Sequence, residues 1–294
     1  MRPIHLRRSW LFVGAADKKA IRSSNDSDAD VCIQEFEDFC VPGHRREARL
    51  MMPDVLSDWR VRKIVATVRI NPLEDPDGLK DLTAAMHAGA DAILIPKANT
   101  KEQILLLQKH INELENQFGK VVGSTAIIPN VEQASGLMNV ADVLSASPQT
   151  VGALVASEDM AVSLNAPRQQ NSEILNHVRS MFHIACCSVG ITAIDMPYTF
   201  TDDDGVRHQT RMARDIGMVA KSTVNAGHCS IINEVLTPSK CEVEVAADMV
   251  AVFEKARSSG EGQVIYEGTK VEVPAYMNAK RLIERYQALM TYEN

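Results

Sequence analysis

The chain has 294 residues, of which 45% are apolar and 23% are charged, so it is long enough for one large hydrophobic core. Its formal net charge of −7 and the lack of a lysine–arginine block argue against a nucleic-acid-binding surface. It shows no signal-peptide pattern, no apolar run of the ~18 residues that a membrane span needs, and no metal-binding spacing among its six cysteines. We therefore predict a cytoplasmic protein with reduced cysteines and no nucleic-acid or membrane partner.

Eight short apolar runs follow one another along the chain, each typical of a strand buried on both faces of a parallel sheet. Helical patterns separate most of them, which predicts eight βα units, the number in a TIM (β/α)₈ barrel. A doubly wound open sheet is the alternative, but no G-x-G-x-x-G fingerprint follows the first strand. The stretch from the first strand through Asp30 is polar, and no helix is predicted there. The predicted strands are 9–15, 31–38, 64–71, 91–97, 124–132, 151–159, 191–196 and 218–224, and the predicted helices are 77–90, 101–120, 132–147, 171–190 and 207–218.

Two more helical patterns follow the eighth strand, at 239–260 and 274–290, with a short β-like link between them at 262–273. We predict a barrel catalytic domain at 1–238 and a C-terminal helical extension at 239–294 that belongs to the same structural unit. The link carries several valine and isoleucine side chains, which find burial most easily as a lid or against another subunit. A surface hairpin packed on its own barrel is the alternative.

Polar side chains of the kinds used in catalysis end five consecutive predicted strands. In a (β/α)₈ barrel the carboxyl ends of all strands converge on one mouth, and active sites lie there. We therefore expect these side chains to form one site. They are Glu37 with Asp38, Arg69 with Asn71, Lys97, Glu132, and Glu158 with Asp159.

Glu132 and Asp159 are candidate metal ligands because they end consecutive strands. Neighbouring strands lie about 4.8 Å apart, so two carboxylates at their ends can share one ion. Two protein oxygens, with water and substrate filling the other positions, is a common arrangement for Mg²⁺. The alternative is that these acids stabilise the starts of the following helices, which fits Glu158 better than Asp159.

Arg69 and Lys97 are the basic candidates at the predicted mouth. The guanidinium of Arg69 can hold a carboxylate in bidentate geometry, and an ion pair with Glu37 or Asp38 is the alternative. Lys97 fits either a Schiff-base lysine, which needs a desolvated amine, or an ion-paired structural lysine.

Further polar candidates lie outside these strand ends. Asn225 and His228 follow the eighth strand, where they are placed to contact a ligand. A short basic cluster follows the second strand and fits either a binding site for one anionic ligand or a solvated helix face. Its members are Arg45, Arg46 and Arg49.

Nine short motifs occur in one order along nearly the whole chain: R-R-S-W-L-F-V (7–13), E-F-E-D (35–38), V-R-I-N-P-L (68–73), I-P-K (95–97), V-G-S-T (122–125), V-E-x-A-x-G (131–136), S-E-D (157–159), A-I-D (193–195) and N-E-V-x-T-P-S (233–239). In this order they resemble the citrate lyase β-subunit-like family of the HpcH/HpaI aldolase superfamily. The resemblance implies a TIM barrel, a homotrimer and Mg²⁺. It also implies a lyase that cleaves a 3-hydroxyacyl-CoA or acyl-carrier thioester of the citryl, citramalyl or malyl type. The products would be an acetyl thioester and a 2-oxo acid, namely oxaloacetate, pyruvate or glyoxylate.

The resemblance also implies roles for individual residues. Glu132 and Asp159 match the Mg²⁺ ligands, and Arg69 matches the arginine that binds the oxo-acid carboxylate. Glu37 and Asp38 match a catalytic acidic pair, and Glu35 replaces the first aspartate of the family's D-L-E-D motif. Glu272 stands where a catalytic aspartate from a neighbouring subunit is expected. We predict that three further residues bind the substrate together with Arg69. They are Asn71, Lys97 and Asn225.

Two segments depart from the family pattern, and both belong to parts expected to face the thioester. Gly14–Ala16 replaces a Pro-Gly turn, and Ala226–His228 replaces a Pro-x-Gln segment. Two alternatives to the lyase therefore stay open. One is a diverged, non-catalytic scaffold or interaction protein, and the other is a superfamily aldolase that acts on free hydroxy-oxo acids.

Overall fold

The eight apolar runs form eight parallel strands in the computed structural model, which describes residues 1–260 and 263–292. The strands pair in chain order, and β8 pairs back with β1, so that the sheet closes into a barrel. The predicted TIM barrel is confirmed, and the open doubly wound sheet is wrong. The strands are β1 (Ser9–Gly14), β2 (Val31–Glu35), β3 (Val65–Arg69), β4 (Ala92–Ile95), β5 (Ala126–Val131), β6 (Gly152–Val155), β7 (Thr192–Tyr198) and β8 (Ala220–Thr223).

Helices connect the strands, and five regions differ from the sequence prediction: α1, α2, α7 and α10 were not predicted, and one predicted helix is divided. The polar stretch before Asp30 contains α1, which begins where Asp17 accepts hydrogen bonds from the backbone N–H groups of Lys19 and Ala20. A long unpredicted helix, α2, precedes β3, and the helix predicted at 132–147 divides at Asn139 into α5 and α6. The helices of this part are α1 (Lys18–Asn25), α2 (Arg45–Val61), α3 (Gly78–Ala88), α4 (Lys101–Gln117), α5 (Ala134–Met138), α6 (Val140–Ser145), α7 (Glu158–Ser163), α8 (Glu173–Ser188), α9 (Asp203–Asp215) and α10 (His228–Leu236).

Side-chain alternation along the strands gives the barrel its inner and outer layers. Alternate residues such as Trp10, Ile33 and Leu94 pack together inside the barrel, and the intervening residues pack against the helices. The inner positions continue toward the carboxyl ends, where they change from apolar to polar. Glu35 follows Ile33 on the same face of its chain, Arg69 follows Thr67, and Glu132 follows Asn130. The period of two therefore directs these three side chains into the mouth.

The described chain divides into two compact units, Met1–Leu236 and Thr237–Asn294. The first contains the barrel, and the predicted boundary at 238 lies two residues past its end. The second contains α11 (Lys240–Ser258), a two-stranded hairpin of β9 (Ile265–Tyr266) with β10 (Thr269–Lys270), and α12 (Val273–Met290). Gly262, the first residue of the predicted link, lies outside the described residues. That the extension acts as a lid and belongs to one structural unit with the barrel stays a prediction.

Among the described residues, none of the helices is both long and apolar enough to cross a membrane. All six cysteines are free thiols, and four of them are buried: Cys32, Cys40, Cys186 and Cys229.

Candidate active site

Arg69 lies at the centre of a cluster of carboxylates at the mouth of the barrel. Its Nε donates to Oε1 of Glu35 at 2.9 Å, and its Nη2 donates to Oδ2 of Asp38 at 2.9 Å. Its Nη1 lies 3.3 Å from both Oε1 of Glu132 and Oε2 of Glu37. Burial opposes the charge of this guanidinium, but the carboxylates outweigh burial and raise the pKa of Arg69 above its ordinary value. The ion pair with the acidic pair is therefore present, and the role of Arg69 toward substrate stays a prediction.

Glu132 is fully buried, and its two carboxylate oxygens differ in their surroundings. Oε1 accepts from Arg69 and from the side-chain amide of Asn130, whereas Oε2 has no hydrogen-bond partner among the described residues. Burial, opposed by Arg69 and assisted by the charges of Glu37 and Asp159, raises the pKa of Glu132 to about 8. A buried, unpartnered carboxylate oxygen is costly unless a cation or a donor satisfies it.

The donor set at Glu132 fits the magnesium ion that the resemblance implies. The free oxygen is a hard ligand, and the half-buried carboxylate of Asp159 lies close enough to affect the pKa of Glu132. Among the described residues, no group of three or more histidine, cysteine, aspartate or glutamate side chains is arranged to hold a metal. Water and substrate would therefore supply the remaining ligands, as is usual for Mg²⁺.

Glu158 and Asp159 both lie in the first turn of α7, so the alternative role at a helix start is compatible with the position of both. Neither caps the helix by a side-chain hydrogen bond, because the residue at the N-cap is Ser157. Glu158 pairs with Arg168 at 2.9 Å and accepts from the hydroxyl of Thr199 at 2.5 Å. Its carboxylate is thus engaged with the neighbouring loop, which leaves Asp159 as the candidate ligand.

Lys97 follows β4 and forms an ion pair with Glu37, with 2.5 Å between Nζ and Oε1. Its backbone is in the left-handed region at φ 48°, a conformation that non-glycine residues seldom adopt and that often marks functional sites. Burial lowers the pKa of Lys97, but Glu37, Glu132 and Asp38 outweigh burial and leave the pKa above its ordinary value. A Schiff-base lysine requires the opposite shift. The structure therefore favours the ion-paired interpretation.

The glycine of the V-E-x-A-x-G motif keeps the loop after Lys97 close to α5. A Cβ at Gly136 would lie 2.5 Å from the carbonyl oxygen of Ala98, so only glycine allows this approach. The backbone N–H of Ala98 also donates to the carbonyl oxygen of Asn130 at 3.0 Å. These contacts fix the strand end that carries Lys97.

The side chain of Asn71 hydrogen-bonds to residues outside the Arg69 cluster. Its amide donates to Oδ2 of Asp81 at 2.7 Å and to the carbonyl oxygen of Phe36 at 3.1 Å. Substrate binding by Asn71 stays a prediction and would require the amide to leave these partners.

The basic cluster has a structural use, because Arg45 and Arg49 pair with acids that precede or begin α3, whereas Arg46 is exposed. Those acids are Asp75, Asp77 and Asp81.

A cavity of about 460 Å³ lies beside the Arg69 cluster, at the carboxyl ends of β1, β7 and β8. Phe12 and Asn225 line it, together with the exposed Lys19 of α1. Phe12 joins the cavity to the cluster, because the Arg69 guanidinium lies 5.1 Å from the centre of its ring. The side-chain oxygen of Asn225 accepts from the backbone N–H of Gly227 at 3.0 Å. Both segments that depart from the family pattern therefore lie at or next to this cavity.

Two further candidates, His228 and Glu272, have partners other than the Arg69 cluster. His228 is fully buried at the start of α10, with Nε2 3.4 Å from the carbonyl oxygen of Thr201. Glu272 precedes α12 in the C-terminal unit, where its exposed carboxylate pairs with Lys270 at 3.1 Å. The catalytic role of Glu272 stays a prediction.

Three residues at the mouth were not in the predicted set. Glu35 accepts a hydrogen bond from Arg69, and Asn130 donates one to Glu132. Phe12 packs against the guanidinium of Arg69. A signal for the two polar residues is present in the sequence, because each lies at an inward-facing position of a strand two residues from a polar candidate. Phe12 has no such signal, since an aromatic residue on a strand most often belongs to the core.

Comparisons with known proteins agree with the barrel fold and with the resemblance found in the sequence. The family model described as HpcH/HpaI aldolase/citrate lyase matches residues 8–226. The citrate lyase subunit beta of Leuconostoc mesenteroides subsp. cremoris is 27% identical over 280 residues, which cover 95% of this chain and 93% of that protein. A (3S)-malyl-CoA thioesterase of Cereibacter sphaeroides is 25% identical, with coverage of 98% and 97%.

Among solved structures, the protein CitE of Mycobacterium tuberculosis in complex with magnesium, acetoacetate and coenzyme A is similar to this chain. The TM-score is 0.76, the identity is 24%, and the match covers 95% of this chain and 98% of that one. At this identity the likeness supports the fold.

Proposed function

The chain belongs to the HpcH/HpaI aldolase/citrate lyase family, and we propose that it is a Mg²⁺-dependent carbon–carbon lyase. Its substrate would be a 3-hydroxyacyl-CoA or acyl-carrier thioester of the citryl, citramalyl or malyl type. The products would be an acetyl thioester and a 2-oxo acid. The observation that carries the proposal is the contact between an arginine that can anchor a carboxylate, Arg69, and a buried carboxylate with a free oxygen, Glu132.

The relatives support the class of reaction. Two of them are named for citrate lyase and for a malyl-CoA thioesterase, and the structurally similar protein was solved with magnesium and coenzyme A. The cavity beside Phe12 supports a thioester substrate, because its volume of about 460 Å³ gives room for an extended group next to the Arg69 cluster.

Substrate binding follows from the charges at the mouth. The Nη atoms of Arg69 would hold the carboxylate of the oxo-acid portion in a bidentate pair. Glu132, directly after β5, and Asp159, in the first turn of α7 rather than at the predicted strand end, would hold Mg²⁺. When bound, Mg²⁺ would act as a Lewis acid that draws electron density from the substrate oxygens.

Cleavage requires one proton to leave the substrate hydroxyl and one proton to reach the carbon next to the thioester. As the hydroxyl loses its proton, the electrons of its O–H bond form the carbonyl of the 2-oxo acid. The carbon–carbon bond breaks at the same time, and its electron pair passes to the carbon next to the thioester, which then takes up the second proton. Glu37 is suited to the first transfer, because burial raises the pKa of its carboxyl despite Arg69 and Lys97. Asp38 lies beside it on Arg69, and its exposed carboxylate can exchange protons with water.

We also propose that the chain assembles as a homotrimer in which Glu272 of one subunit serves the mouth of its neighbour as an acid or base. The support is the resemblance of the E-G-T-K-V-E-V-P segment (267–274) to the family's D-G-x-x-V-D-x-P segment.

The direct test is to incubate the purified chain with citryl-, citramalyl- and malyl-CoA, with and without Mg²⁺. A lyase releases acetyl-CoA and the matching 2-oxo acid only when Mg²⁺ is present. The similarity to a malyl-CoA thioesterase favours a second candidate, hydrolysis, which releases free CoA thiol instead. An aldolase that acts on free hydroxy-oxo acids would keep the same activity when CoA is added. No release from any of the three substrates would reject a lyase that acts on these CoA thioesters and leave the acyl-carrier, free-acid and non-catalytic alternatives.

A further inference from the structure

Glu35, the last residue of β2, is fully buried at the mouth but stands outside the residues assigned to metal or substrate. We infer that Glu35 is the positioning residue of this site, which fixes both the Arg69 guanidinium and the loop that carries Glu37 and Asp38. The inference rests on the proposed function, since it assigns Arg69 the task of holding a 2-oxo acid.

Each oxygen of the Glu35 carboxylate is engaged. Oε1 accepts from Nε of Arg69 at 2.9 Å and from the backbone N–H of Glu37 at 2.6 Å. Oε2 accepts from the backbone N–H of Phe39 at 2.5 Å. Glu35 and Arg69 are also register partners in the β2–β3 pairing, so the two side chains leave the sheet side by side. One buried carboxylate therefore joins a strand end to the following loop.

The three donors of Arg69 differ in how easily a substrate can replace their partners. The partner of Nη2 is Asp38, whose side chain is 45% exposed and can turn into water. Nη1 lies 3.3 Å from two carboxylates, that of Glu37 and that of Glu132, the candidate metal ligand. Glu35 is 0% exposed and retains two backbone donors besides Arg69. An incoming carboxylate would thus take the Nη atoms, while Glu35 keeps Nε and prevents the guanidinium from rotating.

The loop after β2 completes a ring of contacts around Glu35. Phe39, held by Glu35 through its backbone, packs edge-on against Phe12 with 6.5 Å between ring centres. Phe12 in turn lies beneath Arg69 at 5.1 Å. The guanidinium is therefore held at Nε by Glu35 and on one face by Phe12, and its Nη atoms point to Glu37, Asp38 and Glu132.

The test compares Glu35→Gln with a matched control, Glu115→Gln. Glu115 is also fully buried and also accepts from two backbone N–H groups, those of Gly123 at 2.6 Å and Thr125 at 2.7 Å, but has no arginine partner in these contacts. Binding of oxaloacetate is measured by calorimetry at saturating Mg²⁺, and melting temperature is measured for each variant. We expect Glu35→Gln to weaken oxaloacetate binding roughly 10- to 100-fold, the range typical for loss of a residue that orients a metal ligand. Glu115→Gln should lower only the melting temperature.

A third variant, Glu35→Asp, separates charge from shape. It keeps the charge but shortens the side chain, whereas glutamine keeps the shape and loses the charge. Tighter oxaloacetate binding by Glu35→Asp than by Glu35→Gln supports the inference, and it stays measurable if the glutamine variant melts early. Glu35→Gln binding as tightly as the parent, or better than Glu35→Asp, overturns it. If the parent itself binds no oxaloacetate, the proposed function fails first, and the inference fails with it.

Discussion

The Nη1 atom of Arg69 lies 3.3 Å from Oε1 of Glu132, so the predicted carboxylate anchor and the predicted metal ligand contact each other directly. The two residues are 63 positions apart; Arg69 is the last residue of β3, and Glu132 directly follows β5. When Glu132 turns toward a cation, Nη1 of Arg69 loses one of its two carboxylate partners and keeps only Glu37. A substrate carboxylate then competes for Nη1 with one acid instead of two. Metal binding and oxo-acid binding should therefore be coupled.

The first prediction concerns that coupling. Because each ligand frees the other's binding group, Mg²⁺ should tighten oxaloacetate binding, and oxaloacetate should tighten Mg²⁺ binding by the same factor. Calorimetric titration of each ligand at zero and saturating levels of the other measures both factors. Unequal factors would point to a second Mg²⁺ site. No change in either affinity would mean that Glu132 and Arg69 bind their ligands independently, which contradicts the prediction.

The second prediction concerns the metal ligands. Glu132→Gln and Asp159→Asn should each weaken Mg²⁺ binding in calorimetry, because each removes a charged oxygen at the same mouth. The melting temperature without metal should change little, since Glu132 carries a free buried oxygen that contributes no hydrogen bond. Glu158→Gln is the control, because its carboxylate pairs with Arg168. Unchanged Mg²⁺ affinity in both Glu132→Gln and Asp159→Asn would show that these two residues are not the metal ligands.

The third prediction concerns Arg69→Lys, which keeps the charge but loses the planar fork of donors. Loss of one charge-assisted contact should cost about 1.5–3 kcal/mol, or roughly 10- to 150-fold in the Kd for oxaloacetate or pyruvate. Arg207→Lys is the control, because Arg207 makes a comparable two-point pair with Glu234 on the surface. Equal binding by Arg69→Lys and the parent would make Arg69 a structural residue.

The fourth prediction concerns Asp38, which competes with substrate for Nη2 of Arg69. Asp38→Asn should tighten oxaloacetate binding roughly two- to fivefold, because the competing pair is partly exposed and therefore weak. Turnover should fall at the same time if Asp38 belongs to the catalytic acidic pair. Glu47→Gln, which breaks an exposed pair with Lys18, should change neither quantity. Weaker binding by Asp38→Asn would mean that Asp38 helps to hold the substrate.

The fifth prediction concerns assembly. Subunits carrying Glu272→Gln and subunits carrying Asp159→Asn should each be inactive alone, and mixed trimers should regain part of the activity because some mouths receive both intact residues. Light scattering gives the oligomeric state of each sample. A monomer, or no recovery after mixing, would reject the shared site and leave Glu272 as a surface partner of Lys270.

The sequence alone determined the barrel and the position of its mouth. Eight apolar runs of strand length, separated by polar segments, have few ways to bury both faces other than a closed parallel sheet. The same reasoning brought Arg69 and Glu132 to one end, because parallel strands place all their carboxyl ends together. These inferences need only local patterns and the direction of the strands. The helix α1 was missed because polar residues dominate it. The helix α2 carries its buried residues at helical spacing from Ala48 to Trp59, but Pro53 interrupts the pattern.

The tertiary structure decided which partner each polar side chain takes. Several acids lie within reach of Arg69, and the pairing of β2 with β3 places Glu35, rather than Glu37, opposite it. Asn71 follows the end of β3, where the alternation of a strand no longer applies, and its amide turns to Asp81. The left-handed backbone at Lys97 likewise depends on the surrounding loop. Register and loop conformation depend on contacts between residues distant in the chain, which no local pattern encodes.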